Sequence, residues 1–473
     1  MRSSSERNLR NVIDWKLVGC YLILVLIGLV NIYASSHAGE GGPLLDFGSR
    51  SGKQLVWIFT ALILAVFILF VFNPRLWEVI SIPTYLAVLA LLVLVIFVSK
   101  DVKGSHSWFE LGPVKFQPAE ISKIATSLVL AAVMSRQDFK LSRPRDLLTV
   151  AGIILLPMLI IVAEKETGSA LVYVGFIFVL YREGLSGWLL FLAGAVILLF
   201  ILTLTASSYV SLLVLMGLAS LYYSLESGRL KRWFYADLLP LVALLFLPKL
   251  ALAWLRPTLV VAVLGGVQVL RLAAITYRRR RFYCLGTAAA LLLGAGIIFS
   301  TEFIFEHVLQ DHQRSRIEVL LGMKDDPAGV GYNVNQSKIA IGSGGLFGKG
   351  FLNGTQTTYG FVPEQSTDFI FCTVGEEWGF LGCLIVILLY VFLIFRIVTD
   401  AEQSREAFTR IYGYCVAAMV FMHPFINIGM TLGLMPVIGI PLPLLSYGGS
   451  SLWAFTVLIF IFIALYQQEK RYF

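Results

Sequence analysis

The chain has 473 residues, of which 58% are hydrophobic and 14% are charged, and its formal net charge is +8. So high an apolar fraction excludes an ordinary soluble domain and is typical of an integral membrane protein. The positive charge does not indicate a nucleic-acid partner, because Lys and Arg collect in short connections between apolar segments, as the positive-inside rule describes. The five cysteines show no C-x-x-C spacing, which argues against a disulfide framework or a zinc site.

Long apolar segments follow one another along the chain. A membrane-spanning helix needs ~20 mainly apolar residues. The pattern predicts fourteen such helices, or twelve if one adjacent pair is lost from the proline-interrupted segment 207–282. The expected fold is therefore an all-α, polytopic membrane helix bundle. The predicted spans are 16–35, 55–73, 76–99, 118–134, 148–163, 167–182, 187–206, 208–224, 236–253, 258–275, 283–304, 369–397, 411–433 and 446–466.

The basic connections predict how these spans are oriented. If the spans alternate in direction, the basic connections all fall on the side of the N-terminus, so both termini are predicted to be cytoplasmic. The N-terminal segment is basic and enters a long apolar stretch without a small-residue cleavage site, which predicts a retained anchor. The opposite face receives the connections 36–54, 100–117 and 305–368.

The connection 305–368 contains the longest polar segment, residues 325–368. Roughly forty residues rich in acids, amides, lysines and glycines would be unstable in lipid, so they must lie at the water interface or line a wet cavity. Within them, DPAGVGYNVNQSKIAIGSGG alternates turn residues with a short apolar run. This pattern predicts a turn followed by a re-entrant helix in a large extracytoplasmic loop.

Charged residues at the start of the fourth predicted span have two interpretations. Glu120 and Lys123 are three residues apart, so they share one helix face and are close enough to pair. They could form an ion pair that seals a helix end. A charge within a span costs about 2.5–3.5 kcal/mol on insertion scales, however, so such residues usually face a cavity, and we favour a substrate-lining role. Glu166 either faces the same cavity or lies in a solvated tight turn.

The polar loop also brings cations close in sequence to an acidic pair, Asp325 and Asp326. These cations either balance the local negative charge or bind a phosphorylated ligand. They are Arg314, Arg316, Lys338 and Lys349.

Motifs of several other protein classes are not present in the sequence. Gly348-Lys349 lacks the flanking Gly and Ser or Thr of a Walker A loop, which excludes a P-loop nucleotide site. Ser446-Tyr-Gly-Gly-Ser450 is not a G-x-S-x-G nucleophile elbow, so a serine hydrolase has little support. The five histidines lack metal-ligand spacing. We find no sustained repeat of the kind that marks inverted-repeat transporters.

Four segments form a recognisable set: QPAEISKIA at 117–125, DPAGVGYNVNQSKIAIGSGGL at 326–346, PEQSTDFIF at 363–371, and the run from Asn427 through PVIGIPLPLLSYGGSS, which ends at Ser451. Together they resemble the SEDS family, whose members include RodA, FtsW and SpoVE. The match covers most of the chain outside 207–282. The combination of WFELGPVKFQPAE with QSKIAIGSGGLFGKGFLNGTQ is most similar to RodA, the elongation member.

The resemblance implies a peptidoglycan glycosyltransferase of the bacterial inner membrane. Such an enzyme polymerises lipid II, the undecaprenyl-pyrophosphate-linked disaccharide peptide, during cell elongation. The resemblance also implies a class B penicillin-binding transpeptidase and other elongation-complex membrane proteins as partners. The essential loop aspartate of the family precedes a Pro-x-Gly-x-Gly-Tyr pattern, which matches Asp326 here. The polar cavity positions of the family match Lys115, Gln117, Glu120, Lys123, Gln336, Lys338, Glu364 and Asp368.

The chain departs from the family pattern in two places. Where the family commonly has Gln-Pro-Asp-x-Gly, this chain has Glu164-Lys165-Glu166-Thr-Gly168, so the acid is retained as Glu166 but Lys165 replaces proline. The family usually has ten spans, whereas about four further helices are predicted here. The predicted division is 1–206 for N-terminal family helices, 207–282 for inserted helices, and 283–473 for C-terminal family helices with the loop 305–368.

The implied mechanism uses Asp326 as the base for an attacking sugar hydroxyl. Lys338, Arg314, Arg316 or Lys115 would stabilise the departing pyrophosphate, and a divalent cation, Mg²⁺ or Mn²⁺, is a further candidate for that task. Two other functions stay open. The chain could be a flippase or transporter for lipid II, in which the charges within the membrane form a pathway, or a membrane scaffold for the transpeptidase.

Overall fold

The computed structural model describes residues 13–36, 46–99, 107–111, 114–227, 241, 257–279, 282–309, 311–324 and 331–472. The chain divides into two compact units. The first unit consists of Met1–Leu185 and Pro327–Phe473, and the second unit is Ser186–Asp326. The division at 206 and 282 proposed from the family pattern stays a prediction.

The N-terminal part of the first unit is a series of apolar helices with one short hairpin. Pro118 and Pro144 each occupy a first helical turn, where the missing N–H group costs no hydrogen bond. The elements are α1 (Trp15–Ser36), α2 (Arg50–Phe70), α3 (Arg75–Val98), β1 (Phe109–Leu111), β2 (Val114–Phe116), α4 (Pro118–Met134), α5 (Pro144–Ala163), α6 (Thr167–Val172) and, after a 3₁₀ turn at Tyr173–Gly175, α7 (Phe176–Arg182).

The hairpin is a small addition to the all-α prediction. β1 and β2 pair antiparallel, with Glu110 opposite Lys115. Their sequences, FEL and VKF, place apolar residues at alternate positions, and the aromatic Phe109 and Phe116 and the β-branched Val114 favour a pleated strand. The hairpin leads directly into α4, with only Gln117 between them.

The second unit is built from long apolar helices with their own core. That core contains Tyr209, Leu212 and Met216 from one helix, together with Val261 and Leu291 from two others. The elements are α8 (Gly187–Ala206), α9 (Ser208–Ser227), α10 (Pro257–Arg279), α11 (Phe282–Phe303), a π-helical turn at Ile304–Val308 and α12 (Asp311–Leu320).

The C-terminal part of the first unit contains two long, deeply buried helices. In α16, 83% of the most apolar 18-residue window is buried, and in α17 the share is 78%, against 22% for α2. Polar side chains on α16 and α17 therefore lie in the interior of this unit. The elements are α13 (Tyr332–Ser343), α14 (Thr355–Thr358), α15 (Ile370–Gln403), α16 (Ala407–Thr431) and α17 (Gly449–Tyr472).

The membrane-helix prediction is confirmed for the residues that the structure describes. Eleven helices there have the length and apolar composition to cross a membrane, and all eleven overlap predicted spans. Two further predicted spans are shorter helical segments, α4 with 17 residues and Thr167–Arg182. The remaining predicted span, 236–253, lies outside the described residues except for residue 241.

The two ends of the first unit differ in character. At one end, which we call the basic end, arginines on α7, α15 and α16 pair with acids. These pairs are Arg182–Glu402 at 2.7 Å, Arg410–Glu183 at 3.1 Å, and Arg396 with Asp14 and Asp400. At the other end, which we call the loop end, lie the hairpin and the segments 331–369 and 432–448.

Helix α15 is interrupted near the loop end. Gly379 has φ 66° and ψ −160°, a backbone conformation that only glycine adopts readily. The segment Gly345–Gly350 supplies partners for the backbone groups that the interruption frees. Phe380 N and Leu381 N donate to the carbonyls of Gly345 and Leu346, while Lys349 N and Gly350 N donate to those of Glu376 and Glu377. The polar loop is thus hydrogen-bonded into the helix.

Candidate active site

An ion pair lies in the interior at the start of α4. Gln117 precedes the helix, and Lys123 Nζ lies 2.8 Å from Glu120 Oε1. Each of these two charged residues is only 2% exposed. The second Glu120 oxygen, Oε2, is buried and has no hydrogen-bond partner among the described residues. The pairing expected from the spacing of three is present, whereas the substrate-lining role stays a prediction.

His423 on α16 completes this cluster. Its Nε2 lies 2.8 Å from Lys123 Nζ and its Nδ1 lies 3.4 Å from the carbonyl oxygen of Pro441. The ring is fully buried and packs edge-on against Phe455 of α17. The sequence interpretation missed His423 because it tested histidines only for metal-ligand spacing. A histidine in the middle of an apolar span was the available signal.

The turn between α5 and α6 contains two carboxyl groups. Ser107 Oγ donates to Glu166 Oε2 at 3.0 Å, so half-buried Glu166 does not lie in a fully solvated turn. Glu164 is fully buried, and neither of its carboxyl oxygens has a hydrogen-bond partner among the described residues. Burial, with a contribution from the negative charge of Glu166, raises the pKa of Glu164 to about 8. Glu164 therefore carries a proton at neutral pH.

Asn427 joins two of the motif segments at the loop end. Its Nδ2 donates to the carbonyl oxygens of Asp368 at 2.7 Å and Ile440 at 2.6 Å. Ser446 Oγ donates to Thr367 O at 2.5 Å, and Tyr447 N donates to Ser366 O at 2.8 Å. The PEQSTD and PLLSYGG segments are therefore held together by hydrogen bonds to backbone groups.

Helix α13 follows the aspartate motif directly and packs against the end of α16. Ser337 Oγ donates to Thr431 O at 2.6 Å. The Lys338 side chain lies along Gly433, where an added Cβ would approach Lys338 Cε to 2.4 Å. Gln336 is half-buried and Lys338 is exposed.

The other expected residues are distributed more widely. Asp325, Asp326 and the side chain of Lys115 lie outside the described residues. Glu364 is exposed, and the Asp368 carboxylate lies beside Gly439. Arg314 and Arg316 belong to α12 of the second unit, where Arg314 pairs with Glu318 at 3.0 Å.

Lys349 pairs with a buried acid on α15, and its relation to Asp325 and Asp326 stays a prediction. Its Nζ lies 2.7 Å from Glu376 Oε1, and Glu376 also accepts hydrogen bonds from the backbone N–H groups of Gln356 and Thr357. The carboxylate of Glu376 is fully buried, so these partners compensate its loss of water.

The described residues do not provide a built metal site. No group of three or more His, Cys, Asp or Glu side chains that could hold a metal ion occurs among them. Glu164 and Glu166 share the turn between α5 and α6, but Glu164 is buried and protonated, and Glu166 accepts a hydrogen bond from Ser107. The described residues therefore contain no ligand set for the candidate divalent cation.

This arrangement of long apolar helices with buried charges and a polar loop end matches one known family. The family model described as "Cell cycle protein", for FtsW, RodA and SpoVE, matches residues 14–232 and 212–471. The chain belongs to this family, and it is a multi-pass membrane protein.

The chain is similar to several named proteins. The chain is 33% identical to the peptidoglycan glycosyltransferase RodA of Treponema pallidum over 444 residues, which cover 93% of this chain and 94% of that protein. It is 31% identical to the peptidoglycan glycosyltransferase MrdB of Escherichia coli over 380 residues, 80% of this chain and 75% of that protein. A chain in the solved structure of a peptidoglycan synthase complex superposes with a TM-score of 0.60 at 23% identity, covering 97% of this chain and 98% of that one.

Proposed function

We propose that this protein is a peptidoglycan glycosyltransferase that polymerises lipid II into glycan strands during cell elongation. Membership of the FtsW, RodA and SpoVE family supports this proposal, as do the RodA and MrdB relatives, which are more than 30% identical to this chain and carry this activity in their names. The structural observation that carries the proposal is the junction at the loop end. There Asn427 binds both the segment before α15 and the segment before α17, and α13 directly follows the aspartate motif.

The proposed reaction is a displacement at the anomeric carbon of a lipid-linked sugar. The 4-hydroxyl oxygen of one sugar forms a bond to that carbon with inversion, while the bond from the carbon to the pyrophosphate oxygen breaks. The hydroxyl proton passes to Asp326, which acts as the general base. The departing undecaprenyl pyrophosphate carries negative charge, and cations stabilise it, with Lys338, Lys115, Arg314 and Arg316 as the candidates.

Other polar residues of the loop end would bind the sugar and peptide parts of the substrate. The candidates are Gln117, Glu120, Lys123, Glu166, Gln336, Glu364 and Asp368. Glu120 Oε2 supports such a role, because a buried oxygen without a partner among the described residues can still accept a hydrogen bond. The undecaprenyl chain stays in the apolar environment of the helices while the reacting sugars remain in water.

The proposed location is the inner membrane of a bacterium, with both termini in the cytoplasm. The clustering of arginines at the basic end of the first unit supports this orientation. We also propose a class B penicillin-binding transpeptidase and other elongation-complex membrane proteins as partners. The solved relative that belongs to a peptidoglycan synthase complex supports the transpeptidase.

The decisive experiment incubates purified protein with labelled lipid II, with and without the transpeptidase, and separates the glycan products by length on a gel. Asp326→Asn should reduce polymerisation by about 100-fold or more, because general-base catalysis contributes roughly 10²–10⁴-fold. The matched control is Asp325→Asn, which keeps the same local charge change but should stay within a few-fold of the parent protein.

Two results would contradict the proposal. If Asp326→Asn polymerised lipid II at the parental rate, Asp326 would not be the general base. Movement of labelled lipid II across vesicles by a protein that never yields glycan, even with the transpeptidase present, would instead indicate a flippase.

A further inference from the structure

We propose that His423 is a positioning residue for Lys123, and that it acts as a neutral imidazole whose proton is on Nδ1. Three contacts carry this inference: Lys123 Nζ lies 2.8 Å from His423 Nε2 and 2.8 Å from Glu120 Oε1, and His423 Nδ1 faces the carbonyl oxygen of Pro441. The inference deepens the proposed function, because it assigns a task to a residue outside the family-matched positions.

The protonation pattern follows from counting donors and acceptors. A lysine ammonium group has only donors, so the His423 nitrogen that it contacts must offer a lone pair. The proton of the neutral imidazole is then on Nδ1, where it faces Pro441 O at 3.4 Å. The His423 ring therefore accepts a hydrogen bond from the Lys123 ammonium group at Nε2 and donates one to the backbone from Nδ1.

The energetic need for His423 comes from the burial of Lys123. A buried ammonium group is costly unless its donors are satisfied. Glu120 satisfies one donor, His423 satisfies a second, and the ammonium group lies 5.2 Å from the ring centre of Phe455. The negative charge of Glu166 adds attraction from the neighbouring turn. Without His423, one donor of Lys123 would lose its partner, and the side chain would be free to change rotamer.

His423 also connects the ion pair to the loop end. Pro441 lies in the segment that Asn427 binds through Ile440 O and that Ser446 binds through Leu442 N. The same two side chains bind the carbonyl oxygens of Asp368 and Thr367. The position of Lys123 on α4 is thereby set relative to the segments that carry the candidate substrate-binding groups.

Two substitutions separate hydrogen bonding from packing. His423→Phe keeps an aromatic ring but removes both hydrogen bonds, whereas His423→Gln keeps an amide oxygen that can accept from Lys123. We expect His423→Phe to lower the turnover of lipid II by about tenfold or more, the scale expected when a charged donor loses its partner. His423→Gln should retain turnover within about threefold of the parent protein.

Parental turnover by His423→Phe would overturn the inference. So would a loss of turnover in His423→Gln as large as that in His423→Phe, if both proteins keep the parental melting temperature in detergent.

A spectroscopic measurement tests the tautomer independently of turnover. Nitrogen-15 NMR of the histidine-labelled parent protein should show His423 as the Nδ1–H tautomer, with its signal assigned by its disappearance in His423→Gln. Lys123→Met should change the Nε2 resonance. An Nε2–H tautomer would contradict the inference, and so would an Nε2 chemical shift that stays the same in Lys123→Met. These readouts do not require glycan synthesis, so they remain valid if the parent protein fails to polymerise lipid II.

Discussion

Asn427 joins two segments that the family resemblance matched only as separate motifs. The sequence shows that both segments are polar and rich in turn residues, but it does not show that one buried amide donates to a carbonyl oxygen in each. His423 is a similar case, because its partner Lys123 is 300 residues away in the sequence. The spacing of Glu120 and Lys123 on one helix face, by contrast, was sufficient to predict their pairing.

Replacing Asn427 with alanine should destabilise the first unit. The carbonyl oxygens of Asp368 and Ile440 would lose their partner in the interior, which costs about 1–3 kcal/mol per buried group. The matched control is Asn31→Ala, which removes a buried amide whose one hydrogen bond among the described residues is to Ile27 O of its own helix. The melting temperature in detergent should fall clearly further for Asn427→Ala than for Asn31→Ala. Equal losses for the two variants would mean that the junction adds no stability.

Glu164 should make stability depend on pH. Its pKa is raised to about 8 from an ordinary 4.5, so between these values the folded protein binds the proton more tightly than the unfolded chain. The free energy of unfolding contributed by this group therefore decreases as pH rises through that window. Glu164→Gln stays neutral, so its melting temperature should match the parent near pH 4.5 and exceed it increasingly up to about pH 8.

The control for this prediction is Glu78→Gln, a change at an exposed acid in the first turn of α3. Its difference from the parent in melting temperature should be small over the whole range. A pH-independent difference for Glu164→Gln would show that Glu164 ionises normally in the folded protein.

At the scale of single elements, the long apolar helices were predictable and the irregular ones were not. A run of apolar residues identifies a span by its length alone, and all eleven qualifying helices overlap predicted spans. The interruption of α15 leaves no such mark, because Gly379 lies within an apolar stretch and its backbone partners come from Gly345–Gly350. The β1–β2 hairpin likewise depends on pairing between two three-residue strands, too short for a periodic signal.

Gly379→Ala should weaken the junction between α15 and the polar loop. The backbone there is accessible mainly to glycine, and an added Cβ would lie 2.3 Å from Gly348 N, so we expect a loss of about 1–3 kcal/mol in unfolding free energy. Gly152→Ala in α5 is the control, since an added Cβ there has no neighbour within 4 Å and alanine favours a helix. The melting temperature should fall for Gly379→Ala and not for Gly152→Ala. If Gly379→Ala melts at the parental temperature, the backbone at residue 379 can adopt another conformation without a loss of stability.

At the scale of the whole molecule, the family and enzyme class expected from the sequence agree with the family model and the named relatives. Composition was sufficient for the membrane assignment. The site itself was only partly predictable, because its members come from α4, α13, α16 and the segments between helices, and sequence alone does not give their distances. Asp326, on which the mechanism depends, lies outside the described residues.

The orientation of the first unit can be tested with introduced cysteines. The five native cysteines are buried and should react slowly. Tyr359, at the loop end, is 73% exposed, and Gln137, between α4 and α5, is exposed at the other end. A membrane-impermeant maleimide applied to spheroplasts should label Tyr359→Cys and spare Gln137→Cys until the membrane is opened. The reverse pattern would place the polar loop in the cytoplasm, away from an external substrate.

The interruption at Gly379 determines how α15 matches the hydrophobic thickness of the bilayer. With 34 residues, an unbroken helix would be about 51 Å long, well beyond the ~30 Å hydrocarbon layer. Only the part from Phe380 to Gln403 continues without a break, and it is about 36 Å long. The depth at which Phe380 enters the lipid is tied by backbone hydrogen bonds to Gly345 and Leu346. A thinner or thicker bilayer would therefore act mechanically on the polar loop.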